Sequence, residues 1–107
     1  MKRGSLYWVN LGESHPPEFG KTRPALVISN SVQNAILDSV VVVPLSTRPG
    51  EIWPLRLKLT GAKNKTSFAV LPGIRQVSKS RLVKFIDFAS LDFMRGFDEA
   101  LNLYLSD

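Results

Sequence analysis

Three polar stretches of this chain carry the residue types that phosphoryl chemistry uses. Residues 12–23, 46–51 and 72–80 each hold at least one cation together with hydroxyls or amides. The first ends in Gly20-Lys21-Thr22-Arg23-Pro24, and the apolar run Ala25-Leu26-Val27-Ile28 follows at once. Proline bars a helix at that junction, so Arg23 stands at the root of a strand. A guanidinium keeps its charge and presents a planar fork of donors, which suits it to a phosphate; the alternative is an arginine that is merely solvated. The second stretch offers Ser46, Thr47 and Arg48, and the third Arg75, Gln76, Ser78, Lys79 and Ser80. If the three converge at one end of a sheet, Arg23, Arg48, Arg75 and Lys79 surround an anion. Fixed cations and donors of this kind stabilise the charge that develops at phosphorus. Proton transfer would fall to His15, Glu18 or a hydroxyl. Trp53 and Phe19 either stack on bases or pack as ordinary apolar anchors.

The elements that must position these residues are mostly strands. Residues 5–11 alternate, with Leu6 and Trp8 on one face and Tyr7, Val9 and Leu11 on the other. Residues 12–22 form a long loop with Gly12, Pro16, Pro17 and Gly20. Residues 24–29 read as a strand buried on both faces, 30–37 as a turn, and 39–45, with four successive valines, as a central strand. Leu55, Leu57 and Leu59 alternate with Arg56 and Lys58, giving a half-buried strand with a wet basic face. A basic loop (61–66), a short strand (67–71), a turn at Pro72-Gly73 and a strand over 81–88 follow. The last element is a helix capped by Ser90, with an apolar stripe of Met94, Phe97, Leu101, Tyr104 and Leu105. Gly96 weakens it by about 1 kcal/mol relative to alanine, so it must pack on the sheet. The expectation is one domain over 1–107: a small, bent antiparallel sheet or partial barrel with a C-terminal helix. The generous apolar surface also permits a dimer.

Composition narrows the chemistry. The chain has 107 residues and no cysteine, which excludes disulfides and thiolate zinc sites, and His15 is its one histidine. Neither a membrane-length apolar run nor a signal-peptide pattern is present, and the sequence fits a cytoplasmic protein. Residues 1–86 hold thirteen Lys and Arg against four acids, a net +9, whereas residues 87–107 carry a net −4. The basic body attracts polyanions, either nucleic acid or an acidic protein segment.

Four blocks of the sequence, in order, resemble the MazF/PemK family of toxin endoribonucleases. They are Arg3-Gly4-Ser5-Leu6-Tyr7-Trp8-Val9-Asn10-Leu11, then Gly20-Lys21-Thr22-Arg23-Pro24-Ala25-Leu26-Val27-Ile28-Ser29-Asn30, then Val41-Val42-Val43-Pro44-Leu45-Ser46-Thr47, and Gly73-Ile74-Arg75-Gln76-Val77-Ser78-Lys79-Ser80-Arg81-Leu82. The resemblance implies a mainly β fold with a C-terminal α-helix, a small SH3-like or CcdB-like antiparallel partial barrel, acting as a homodimer. It implies cleavage of single-stranded RNA at short motifs without a metal or other cofactor. The 2′-hydroxyl attacks the neighbouring phosphorus and leaves a 2′,3′-cyclic phosphate, so DNA is spared. It further implies a cognate antitoxin with an acidic C-terminal segment and no membrane partner. By position, Arg23 matches the family's catalytic arginine. Ser46 matches the family's hydroxyl residue, usually threonine, and Thr47 follows it; one of the two would hydrogen-bond the scissile phosphate. The RNA-binding residues would be His15, Glu18, Lys21, Thr22, Arg48, Trp53, Arg75, Gln76 and Lys79.

The sequence also departs from the family pattern. Many members carry an acid and then glutamine where this chain has Pro72 and Gly73. Some carry a histidine where it has Pro17, His15 lying two residues earlier. The resemblance therefore names no general base. Two further readings share the fold: a CcdB-like gyrase poison and a non-catalytic RNA- or antitoxin-binding member. The ending Tyr104-Leu105-Ser106-Asp107 differs from the Trp-Gly-Ile ending of CcdB-type poisons and speaks against the first. Pro72-Gly73 is the support for the second.

Overall fold

Four successive β-branched valines favour a pleated, buried strand. In the computed structural model of the protein, which describes residues 1–13, 15–61 and 65–107, they form the middle of β3 (Ser39–Ser46). The middle of the expected basic loop, residues 62–64, lies outside the described residues. β3 organises the sheet. On one side it pairs antiparallel with β2 (Thr22–Val27), with Ala25 opposite Pro44 and Val27 opposite Val42. β2 pairs with β1 (Ser5–Asn10), and β1 pairs with an edge strand, β7 (Leu82–Phe88). Two register shifts between β1 and β7 mark bulges, which bend a sheet and increase its twist.

On its other side β3 is shared. Its first half takes β6 (Arg75–Ser78), with Val42 opposite Arg75. Its last two residues take β5 (Thr66–Val70), which pairs in turn with β4 (Arg56–Thr60). Val43 and Pro44 fall in the gap between the two partners. The carbonyl of Val41 accepts from Ile28 N at 2.9 Å on the β2 side, so by alternation Pro44 turns its amide nitrogen to the shared side. The hydrogen-bond donor that proline lacks is thus not missed by either partner, and a proline is tolerated inside a central strand. A 3-10 turn, Leu71–Gly73, joins β5 to β6 across this gap.

Two cores follow from the alternation of the strands. Leu6, Leu26, Val43 and Leu45 face α2 (Leu91–Tyr104) and its Met94, Phe97 and Ala100. Val9, Ala25, Val27, Val40, Val42 and Val77 pack on the opposite face, with Tyr7, Phe19 and Leu82 against them. Ser90 caps α2 by accepting from Phe93 N at 3.0 Å. Arg3 ties the helix to the sheet, with Nη2 2.7 Å from Asp98 and Nε donating to Ile28 O.

The expected mainly β architecture, with its partial barrel and terminal helix, is borne out; several details are corrected. Seven strands form, where five or six were expected. Residues 30–37 contain a helix, α1 (Ser31–Ile36), in place of a turn. Its Asn30 cap accepts from Gln33 N, and the buried Asn34 is held by Ser29. The third polar stretch contains β6, not a continuous loop. Leu105 lies past the end of α2 and is 69% exposed; Ala100 takes its place in the buried stripe. Leu55 precedes β4 and is exposed. Among the described residues, no helix is long and apolar enough to cross a membrane.

Candidate active site

β1 and β2 are joined by a loop that is pinched shut at its base. Leu11 N donates to Lys21 O and Lys21 N donates to Gly12 O, at 2.7 and 2.6 Å. Gly12 and Lys21 both take positive φ there, 77° and 62°. The loop beyond this neck forms one wall of a cavity of about 990 Å³. The end of β3, the start of β4 and the turn before β6 form the rest.

Arg23 enters the cavity from β2. Its Nε donates to Gly20 O at 3.1 Å, and its guanidinium carbon lies 5.1 Å from the centre of the Phe19 ring. Opposite it in sequence, β3 ends in a small hydroxyl-bearing turn. Ser46 is buried, and its Oγ accepts from Arg48 N at 3.1 Å; Thr47 is exposed. Arg56, at the start of β4, then secures the following loop. It donates from Nε to Gly50 O at 2.9 Å and from Nη2 to Arg48 O at 2.6 Å, and it lies over the Phe68 ring. Arg75 and Arg81 reach the first loop from the other side, donating to Leu11 O and Asn10 O at 3.2 and 3.1 Å.

Five arginines therefore line one cavity: Arg23, Arg48, Arg56, Arg75 and Arg81. The carboxylates in the lining are Glu13 and Glu18, and among the described residues none of the five guanidiniums forms a salt bridge. Four of them are anchored by backbone carbonyls, which fix the fork without neutralising it. Such a site offers a polyanion unspent positive charge at fixed positions. Among the described residues, no group of three His, Cys, Asp or Glu could hold a metal.

Of the residues expected to act together, the cavity collects Glu18, Arg23, Ser46, Thr47, Arg48 and Arg75. It leaves His15, Lys21, Thr22, Trp53, Gln76 and Lys79 outside its lining. Lys79 corrects the expected four-cation ring. β6 runs back along β3, so Lys79 N meets Asp38 O at the start of that strand, about 26 Å from Ser46 by the rise of its residues. Gln76 donates to Ser39 Oγ at 2.7 Å beside a separate shallow groove. Trp53 is half exposed on the loop beyond Arg48, and Phe19 is half-buried against the second core. Arg56 and Arg81 were not singled out from sequence. The alternation does place Arg56 opposite Leu57, but it does not reveal that the wet face abuts the loop after β3.

Packing accounts for the glycine of Pro72-Gly73. A Cβ at position 73 would lie 2.5 Å from Pro44 Cγ and 2.9 Å from Pro44 Cδ, inside any real contact. The turn crosses the gap in the sheet so closely that a side chain is excluded.

A family model described as PemK-like, MazF-like toxin of type II toxin–antitoxin system matches residues 2–105. Among curated proteins the chain is similar to endoribonuclease MazF9 of Mycobacterium tuberculosis, with 28% identity, covering 98% of this chain and 96% of the relative. Among solved structures it resembles a mycobacterial endoribonuclease in complex with its cognate antitoxin, with a TM-score of 0.82, 24% identity, and 100% and 98% of the two chains covered. It also resembles MazF from Deinococcus radiodurans, with a TM-score of 0.82, 23% identity, and 98% and 96% covered. At these identities the structural likenesses establish the fold.

Proposed function

The chain belongs to the family of PemK-like, MazF-like toxins of type II toxin–antitoxin systems, and on that premise we propose that it is a sequence-specific, metal-independent endoribonuclease acting on single-stranded RNA. The observation that carries this reading is the convergence of Arg23, a hydroxyl-bearing turn and four further arginines on one cavity. The 2′-oxygen attacks the adjacent phosphorus and the bond to the 5′-oxygen breaks; the departing 5′-oxygen takes a proton from water, giving a 2′,3′-cyclic phosphate and a 5′-hydroxyl. Negative charge grows on the phosphoryl oxygens, and Arg23 stabilises it with donors held in place before reaction. Thr47 donates to the same phosphate. Ser46 holds the turn, because its oxygen is engaged with Arg48 N. Arg48, Arg56, Arg75 and Arg81 bind flanking phosphates and supply affinity that falls with salt. The 2′-hydroxyl proton passes to Glu13 or Glu18, the two carboxylates of the lining; separate Glu→Gln variants at each assign it.

The same positive cavity suits the acidic segment of an antitoxin, so RNA and antitoxin compete. That relatives are recorded with an antitoxin supports this partner. A homodimer is supported by the apolar side chains that β1 and β7 leave exposed, Trp8, Val83, Phe85 and Phe88. Gly73's contact with Pro44 gives a packing reason for the missing glutamine, while the acid missing at Pro72 is what favours a non-catalytic member as the second reading.

The test is cleavage of a long unstructured RNA in excess EDTA. Cuts at a recurring motif with cyclic 3′ ends are expected. RNA bound but never cut would overturn the reading.

A further inference from the structure

We infer that Phe19 is the positioning residue for Arg23. The inference rests on the role of Arg23 proposed above. Two constraints hold the Arg23 guanidinium: Gly20 O accepts from Nε, and the Phe19 ring lies beneath Cζ at 5.1 Å. Both come from consecutive residues of the loop that the Lys21–Gly12 neck closes. Among the described residues, neither contact uses Nη1 or Nη2, so the outer edge of the fork stays available to a phosphate.

The ring is itself fixed from below. It packs on the core of Val9, Leu11 and Val77, and its Cδ1 lies 3.4 Å from where a Cβ at position 73 would stand. A side chain at 73 would contend with Pro44, whereas its Cβ would meet this ring at ordinary contact distance. The chain thus backs its arginine with an aromatic face. A cation over an aromatic face is held electrostatically, and more strongly where water is excluded. With the guanidinium over one face and the ring half-buried against the core, Phe19 acts on Arg23 and not as a platform for RNA bases. It sets where Arg23 points.

Two readouts test this. With an oligonucleotide carrying one site mapped by the wild type, Phe19→Leu should lower kcat about tenfold, with KM within twofold. Phe19→Met should do the same, while Phe19→Tyr and Phe19→Trp retain kcat near wild type. In an Arg23→Lys background, Phe19→Leu should add less than twofold. The second readout needs no RNA. The Arg23 Nε–H resonance, assigned by its loss in Arg23→Lys, should lie upfield from the ring and move downfield in any folded non-aromatic variant. If the wild type cuts no RNA but the resonance behaves as stated, the enzymatic reading fails and the positioning stands. A folded Leu or Met variant with wild-type kcat, or with an unmoved resonance, overturns it. A rise in KM at constant kcat also overturns it and makes the ring a base platform.

Discussion

Gly73→Ala and Gly96→Ala are the same chemical change with opposite expected signs. Carbon atoms attract one another best at about 3.5–4.0 Å. A Cβ at 73 would come within 2.5 Å of Pro44 Cγ and 2.9 Å of Pro44 Cδ, an overlap of about 1 Å. Pro44 is fully buried, and its ring has no flexible end to swing aside. Its strand is fixed between β2 on one side and β5 and β6 on the other. Overpacking of this kind costs about 1–3 kcal/mol, and the rigidity of the partner places this case near 3. For a domain of this size that lowers Tm by about 12 °C. At position 96 nothing lies within 4 Å, and the residue sits in the second turn of α2. Alanine there removes backbone freedom from the unfolded chain and stabilises by about 0.5–1 kcal/mol, a rise of a few degrees. Neither glycine has positive φ, so strain does not confuse the comparison. Thermal unfolding by circular dichroism measures both. A Gly73→Ala protein melting within 2 °C of wild type would refute the claim that Pro44 excludes a side chain. It would leave Gly73 without a physical reason.

The remaining expectations concern the site and its surroundings. Thr47→Val should lower kcat about 10²-fold by removing a donor to the reacting phosphate; Ser46→Ala should instead lower Tm, because Arg48 N loses its acceptor. Stopped-flow cleavage and thermal melts separate the two. Arg56→Gln should weaken RNA binding and raise the mobility of the 47–51 loop, since two carbonyls lose their donor. Filter binding across a salt series checks this, and an unchanged salt slope would count against a phosphate contact. Phe85→Asp should convert a dimer to a monomer in sedimentation, because the ring is exposed on edge strand β7 and packs edge-on to Tyr7 and Phe88.

How far sequence reached into this fold depends on where each element gets its stability. β3 and α2 carry their own signal, in a valine run and in a capped apolar stripe. α1 does not. Val32 and Ile36 face solvent, and the helix rests on the Asn30 cap and the buried Asn34, which only the folded chain satisfies. β6 has one buried residue, Val77, so its four residues read as loop; its pairing with β3 defines it. Arg23, Ser46, Thr47, Arg48 and Arg75 were legible because they stand at strand ends. Arg56 and Arg81 join the cavity through tertiary contacts to backbone carbonyls, which no spacing encodes. Lys79 was drawn in by proximity along the chain and carried away by the direction of β6.

The central claim is that Arg23 stabilises the transition state of RNA cleavage. The most direct measurement is single-turnover cleavage of an unstructured RNA in excess EDTA, with wild type and Arg23→Ala compared and the 3′ ends analysed. Recurring cuts, 2′,3′-cyclic phosphate ends and a loss of at least 10²-fold in the variant, with RNA still bound, are expected. Cleavage by Arg23→Ala at the wild-type rate would contradict it.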